Sequence, residues 1–407
     1  MNYFVFVVCG AKTHIDTLNL SLRFLRHFSR YPILVVTDTR RNEIPVEHDN
    51  IIHVNTPDEY DHHQASIYLK TGLHRFVPDI QNDTYCYLDS DIIAMSDSCN
   101  QIFNYKPEPI IFAQDHCSFW EFSPNAMNCN CISDFNSRKH EFEKAMFSYF
   151  EDFKPLNEKT YAELEKLNMV FNRLKKQPYK NLRLLIKYLV SRYMPVKNDI
   201  ILAGFRFNKK NRCWYDTDGN MISFDNRYHK SRLWEQQHIY FKNGVWYNKN
   251  LEDITPKTLH CEHLSDFIKF KYGIAIPSQW RHWNGGVFVF NISSVKFIDY
   301  WHRITMEEFK DPRTKTRDQA TLAISAWKFN IQNMNTLPVK YNFIAEYNNA
   351  NIRWNDEKGY TFNGFKSIFE PVMLHVYHHW DDTSWDIWQS VIRLAEKNNI
   401  QIGAKSF

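Results

Sequence analysis

The chain has 407 residues, 43% of them hydrophobic and 24% charged. That composition excludes a disordered chain and leaves room for one large core with an insertion, or for two domains. A net charge of +4 lacks the basic excess of a dedicated nucleic-acid binder.

The opening MNYFVFVVCGAK has neither the basic n-region nor the long apolar run of a signal peptide. No stretch reaches the ~18 consecutive apolar residues of a membrane span. The eight cysteines, at 9, 86, 99, 117, 129, 131, 213 and 261, read as reduced thiols, and Cys129-Asn130-Cys131 is too tight for a usual zinc pair. Together these features lead us to expect a cytoplasmic protein, at most peripheral at the inner face of the membrane.

In chain order, residues 3–9 are apolar at every position and predict a buried strand that Gly10 ends. Ile15, Leu18, Leu22, Leu25 and Phe28 recur at helical spacing. PILVVTD at 32–38 predicts a second strand, 65–76 a helix, TYCYLDSD at 84–91 a third strand and PIIFAQD at 109–115 a fourth. Alternating strands and helices predict an α/β fold with a mostly parallel central sheet and flanking helices. Ligands of such sheets bind beyond the carboxyl ends of the strands. The last three of these runs end in Asp38, Asp89 and Asp115, and acids gathered at one edge call for a counter-charge.

The pattern changes from about 120 to 275. Residues 137–194 predict three helices, and Asp218-Gly219 and Asn243-Gly244 are hairpin turn signals. The α/β signal returns with a strand at 285–291, helices near 294–309 and from Asp318, a late strand at 371–380 leading into a histidine-rich loop, and a closing helix at 384–398.

The residues that carry chemistry begin with Asp89-Ser90-Asp91. Two carboxylates at one strand tip repel unless solvated or bridged by a cation. Mg²⁺ and Mn²⁺ take such oxygen ligands and join them to substrate phosphates. A solvated turn, a phosphoaspartate hydrolase and a metal nuclease also use this pattern. The hydrolase motif normally follows the first strand, and the nuclease wants further acidic clusters. A nucleotidyltransferase wants a glycine-rich basic loop after the first strand, and Cys9-Gly10-Ala11-Lys12 is a poor one.

YLDSDII (87–93), WNGGVFVFN (283–291), RDQATL (317–322) and MLHVYHHW (373–380) together resemble the GT-A-fold nucleotide-sugar glycosyltransferases, nearest to glycosyltransferase family 8. The likeness implies a Rossmann-like GT-A fold with a large helical and β-hairpin insertion. Residues 1–120 would form the nucleotide-sugar-binding half, 121–278 the insertion, and 279–407 the acceptor and catalytic half.

It also implies site roles. Asp89, Asp91 and His375 would hold Mn²⁺ or Mg²⁺. Val8, Cys9, Gly10, Asp38, Lys70, Ser90, Asp115, Asn284 and Gly285 would meet the nucleotide sugar, and Asp318, Gln319 and Asn284 would lie near the anomeric carbon. The family continues its late histidine into a glycine and a Lys-Pro-Trp that grip the diphosphate. No lysine follows His375 here, and His378 or His379 stands in that place.

The implied activity is hexose transfer from a nucleotide diphosphate sugar, UDP-linked by resemblance, to a glycan or lipid-linked acceptor with retention. An inverting enzyme would need a carboxylate base, for which Asp318, Asp381 and Asp382 are candidates. A GT-A fold that binds a glycan or nucleotide without turnover is the other alternative.

Residues 166–198 carry nine Lys or Arg and no acid. Leu182, Leu185, Ile186, Leu189, Val190 and Tyr193 form an apolar stripe between them. The stripe either packs on its own domain or meets anionic lipid or a lipid-phosphate-linked acceptor.

Overall fold

A computed structural model describes residues 1–149, 158–193, 199–210, 212–224, 240–242, 245–247, 250–253, 255, 259–315, 317–345, 352–355, 359–362 and 370–402. The Asn243-Gly244 turn and the end of the basic stretch at 194–198 lie outside the described residues. The chain divides into two compact units, one formed by Met1–Asn130 with Leu259–Phe407 and the other by Cys131–Thr258. The second unit is narrower than the 121–278 segment set apart on sequence.

The first unit begins with β1 (Asn2–Val8), α1 (Lys12–Phe28), β2 (Ile33–Thr37), β3 (Ile51–His53), α2 (His62–Thr71) and β4 (Thr84–Leu88). The short β5 (Ile92–Ala94), then β6 (Ile111–Ser118) and α3 (Phe119–Ala126), follow.

The second unit holds α4 (Cys131–Tyr149), α5 (Glu158–Lys176) and α6 (Leu182–Tyr193), the three helices predicted there. It also holds β7 (Asp199–Leu202), β8 (Phe205–Asn208), β9 (Cys213–Tyr215), β10 (Met221–Phe224), β11 (Tyr240–Lys242) and β12 (Val245–Tyr247). Strands β7 to β10 form an antiparallel sheet, with the predicted turn between β9 and β10 placing Gly219 at φ +85°. Leu167 and Leu174, seven residues apart on α5, pack in one core with Leu202, Phe207 and Trp214.

The first unit resumes with α7 (His263–Tyr272), β13 (Arg281–Phe290), α8 (Val295–Glu308), α9 (Asp318–Lys328), β14 (Phe343–Ile344), the hairpin β15 (Ile352–Asn355) and β16 (Gly359–Phe362), β17 (Met373–His375) and α10 (Asp386–Lys397).

The central sheet runs β3-β2-β1-β4-β13-β6. Its first four strands are parallel, and β13 is antiparallel to both neighbours. The fold is therefore α/β with a mostly parallel sheet. Alternation along β1 sends Phe4, Phe6 and Val8 to one face with α1, and Val5, Val7 and Cys9 to the other with α2. Both faces are covered, which is why the strand reads as one apolar run.

A smaller sheet, β14-β17-β5, decides where the site forms. β17 pairs antiparallel with β5 so that His375 faces Ile92. The backbone N–H of Val376 donates to the carbonyl of Asp91 at 3.2 Å. In the main sheet, Val287 of β13 faces Leu88, and the N–H of Asp89 donates to the carbonyl of Gly286 at 2.8 Å. Two sheets thus bring 284–286 and 375 to the acidic turn between β4 and β5.

Candidate active site

The acidic turn sits where β4 ends. Tyr87, two residues before Asp89, shares its face. The buried Tyr87 hydroxyl donates to Asp89 Oδ1. Lys70, near the end of α2, is only 8% exposed, and its Nζ lies 3.2 Å from Asp89 Oδ1 and 2.8 Å from Asp318 Oδ2. The same ammonium lies 5.1 Å from the centre of the Tyr87 ring. Lys70 is thus a buried counter-charge between two carboxylates rather than a solvent-facing charge.

Burial alone would push the Lys70 pKa down; Asp318 and Asp89 outweigh it and hold the pKa above its ordinary value. For Asp318, burial raises the pKa and Lys70 more than reverses that, so the carboxyl stays below the usual range. Asp318 is also the first residue of α9, where a negative charge complements the helix N-terminus. Asp89 differs. Burial raises its pKa, neighbouring Asp91 adds to the rise, and the net shift is upward despite Lys70. A carboxylate pressed upward in this way gains from a further cation.

The side chains of Asp89, Asp91 and His375 place one ligand atom each within 4.8 Å of one another. His375 is buried, with Nε2 3.3 Å from Asp91 Oδ1. A hydrogen-bond chain fixes which nitrogen of His375 carries the proton. The carboxylate of Asp115 can only accept, so Asn284 presents its Nδ2 to Asp115 Oδ2 at 2.8 Å. Asn284 Oδ1 then accepts from the Gly286 N–H at 2.8 Å and from Asn342 Nδ2 at 3.0 Å. Asn342 Oδ1 is left to accept from His375 Nδ1 at 2.8 Å. A proton therefore sits on Nδ1, and in the neutral imidazole Nε2 turns a lone pair toward the carboxylate of Asp91. Two acceptors at that distance suit a shared cation, and a second partner orienting a histidine ligand is usual in metal sites.

Space is kept open by glycine. A Cβ on Gly286 would meet His375 Cε1 and Asn284 Oδ1 at 2.7 Å, and Asp89 Oδ2 at 3.0 Å. So Oδ1 of Asp89 is held by Tyr87 and Lys70, while Oδ2 faces His375. A Cβ on Gly285 would lie 3.3 Å from both Lys70 Nζ and Asp318 Oδ2. Oxygen and imidazole donors around a glycine-lined gap fit a hard divalent ion such as Mn²⁺ or Mg²⁺.

Asp115 forms the second half of the site. It is buried and also takes Gln319 Nε2 at 3.2 Å and His116 Nδ1 at 2.8 Å, with His282 Nε2 at 3.8 Å. Burial would raise its pKa, but His282, His116 and Asn284 hold the carboxyl well below the usual range. Asp115 stays ionised and ties Asn284 to Gln319.

The other expected residues fall differently. Cys9 is buried, and burial with nearby Asp38 pushes its thiol up to about 11, so it is a neutral thiol at the end of β1. Gly10 has φ +104°, and a Cβ there would strike the His62 ring at 2.5 Å. Asp38 is fully buried and committed to structure: it accepts from the Thr56 N–H and hydroxyl, both at 2.8 Å, and from Arg40 at 2.8 Å. The Ser90 carbonyl accepts from Ser21 at 2.6 Å. Val8 is buried in the core under α1. His378 stacks obliquely near Tyr377, 6.0 Å between ring centres.

Five participants carried no flag in the sequence, among them His116 and His282 beside Asp115. Tyr87 and Tyr377 lie two positions from Asp89 and His375, and the same-face rule for extended chain could have singled them out. The Tyr377 hydroxyl accepts from Asn284 Nδ2 at 3.0 Å. Asn342 has no local signal; only the β14–β17 pairing brings it to His375.

No family model and no curated protein matches the chain. Among solved structures it is similar to the glycosyltransferase GlyE of Streptococcus pneumoniae TIGR4, at 17% identity and TM-score 0.21 over 28% of this chain and 29% of that one. The match thus spans under a third of GlyE. The chain is also similar to the galactosyltransferase LgtC in complex with donor and acceptor sugar analogs, at 11% identity and TM-score 0.39 over 100% of this chain and 98% of that one. A third likeness is to mouse xyloside xylosyltransferase 1, at 9% identity and TM-score 0.35 over 92% and 97%.

Proposed function

We propose that the chain is a metal-dependent glycosyltransferase of GT-A type that moves a hexose from a UDP-linked donor to a glycan or lipid-linked acceptor with retention. The observation that carries the reading is the convergence of Asp89, Asp91 and the Nδ1-protonated His375 within 4.8 Å, beside the linked group Lys70, Asp115, Asn284, Asp318 and Gln319. A divalent ion held there would stabilise charge developing on the departing diphosphate.

In that reaction the anomeric carbon–phosphate oxygen bond breaks and a bond to the acceptor oxygen forms on the same face, the hydroxyl proton leaving with the diphosphate. Asp115 holds Asn284, whose two amide hydrogens go to Asp115 and Tyr377, and keeps Gln319 in place with its second Nε2 hydrogen available toward the sugar. Lys70 neutralises Asp318 and one oxygen of Asp89. That ion pair also speaks for retention: Asp318, as a buried carboxylate bound to an ammonium and held below its ordinary pKa, is a poor base for an acceptor hydroxyl. Asp382 accepts from the Ser384 N–H at 3.0 Å and lies 3.0 Å from His379, so it too is engaged locally.

A panel of nucleotide sugars with and without Mn²⁺, read as shifts in melting temperature, identifies the donor. The coupling constant of the product's anomeric proton then reports retention or inversion. Hydrolysis of the donor without acceptor distinguishes an enzyme from a non-catalytic binder.

We also propose that α6 meets membrane lipid. No described helix is long and apolar enough to cross a membrane. Along α6, Leu184, Leu185 and Tyr188 pack inward, while Leu182, Ile186, Leu189 and Val190 are exposed beside basic residues. Leu185 thus belongs to the inward face, not to the exposed stripe. The remaining exposed apolar and basic face suits an anionic lipid surface.

A further inference from the structure

A second cluster of metal-ligating side chains lies apart from the acidic site. Cys129 follows α3, and Cys261-Glu262-His263 leads into α7. Phe119, Phe122 and Ala126 of α3 pack against Leu264, Phe267 and Ile268 of α7, and that packing joins the two segments. Cys261 is 2% exposed. Its Sγ lies 3.8 Å from Cys129 Sγ and 3.3 Å from His263 Nδ1.

These separations match a tetrahedral ion. A disulfide would bring the sulfurs to ~2.05 Å. Two zinc–sulfur bonds of ~2.3 Å at a tetrahedral angle put them ~3.8 Å apart, and a zinc–nitrogen bond of ~2.0–2.1 Å puts sulfur and nitrogen ~3.6 Å apart.

A further contact points the same way. The Ser123 hydroxyl accepts the Leu264 N–H at 3.0 Å and donates to Cys261 Sγ at 3.1 Å. A donor held on the sulfur in this way suits a thiolate and resembles the outer contacts that orient metal ligands. The Cys129-Asn130-Cys131 spacing is tight for a pair considered alone. With Cys261 and His263 supplying two ligands from a distant segment, Cys131 becomes the fourth ligand that the same short stretch offers.

We propose that Cys129, Cys131, Cys261 and His263 bind one structural Zn²⁺. Three soft sulfurs and one imidazole form a closed set with no position left for substrate, the pattern of zinc that stabilises rather than reacts. Cys129 and Cys261 are 132 residues apart. An ion shared between them closes that long loop and couples metal binding to folding.

The test is elemental analysis of the full chain purified without a metal-affinity step and dialysed, together with cobalt substitution of the same protein. One equivalent of zinc per chain, released by a thiol-specific mercurial, is expected. The Co²⁺ form should show a near-ultraviolet sulfur-to-cobalt charge-transfer band and tetrahedral visible bands. The double variant Asp89→Asn/Asp91→Asn should keep the zinc, and Cys261→Ser should lose it. Should Cys261→Ser fail to fold, the cobalt spectrum of the wild-type chain decides. Folded wild-type protein free of zinc, zinc retained in Cys261→Ser, zinc lost with the two aspartates, or a cobalt spectrum without the thiolate band would each overturn the assignment.

Discussion

The Nδ1 of His375 lies 2.8 Å from the Oδ1 of Asn342, and this single contact sets the chemistry of the acidic site. It holds a proton on Nδ1 and makes Nε2 the nitrogen that faces Asp91. It is itself enforced by Asn284, whose orientation is dictated by the Gly286 N–H and the Asp115 carboxylate.

Replacing Asn342 with leucine should therefore weaken Mn²⁺ binding without touching a ligand. Loss of such an orienting contact costs about 10–100-fold in metal affinity. Titration of Mn²⁺ followed by electron paramagnetic resonance measures it. Unchanged affinity in a folded Asn342→Leu protein would remove the hydrogen-bond chain from the account.

Gly286→Ala probes the same gap by size. The added methyl would be driven into His375 and Asn284 at 2.7 Å, so a metal-affinity loss on the order of 10–100-fold is expected here too. Gly219→Ala is the control. Its Cβ would meet nothing within 4 Å, and only the left-handed backbone at φ +85° would cost about 1–2 kcal/mol. Mn²⁺ binding should be untouched there.

Stability should fall in mild acid because of His302. This histidine is 5% exposed, its Nδ1 lies 2.8 Å from the Thr71 hydroxyl, and burial pushes its pKa down to about 4. Between pH ~6.5 and ~4 the unfolded chain binds the proton that the folded chain refuses, so stability drops as pH falls through that window, by up to about 3 kcal/mol. His74, lowered first by burial, acts in the same direction. Urea unfolding at several pH values should show a shallower slope for His302→Gln than for wild type; parallel profiles would contradict the assignment.

The exposed face of α6 predicts lipid dependence. Ile186→Glu/Leu189→Glu places charge at positions 50% and 41% exposed, so the fold should hold. Cosedimentation with phosphatidylglycerol vesicles should drop at least about tenfold, since each change removes apolar contact and adds repulsion. Phosphatidylcholine vesicles should bind neither protein. Equal sedimentation of variant and wild type would rule out this surface.

Legibility in the sequence followed the range of the interactions. β1, β2 and β4 are buried on both faces, so their unbroken apolar runs announced them. α1 showed its spacing because one face packs on the sheet. β5 and β14 are three and two residues long, too short for any period, yet they carry the pairing that seats His375 and Asn342. Lys70 lies on a helix whose sequence reads as ordinary; its burial depends on Asp318, nearly 250 positions on. Cys129 and Cys261 meet only because α3 packs on α7.

The proposed reaction stands or falls with a divalent ion that Asp89, Asp91 and His375 would fasten onto a pyrophosphate. Isothermal titration of UDP into the protein with and without Mn²⁺, for wild type and Asp91→Asn, tests it most directly. Metal-dependent UDP binding is expected in wild type, and in Asp91→Asn the loss of that dependence with the melting temperature preserved. UDP binding of equal strength with and without Mn²⁺, or undiminished in Asp91→Asn, would contradict it.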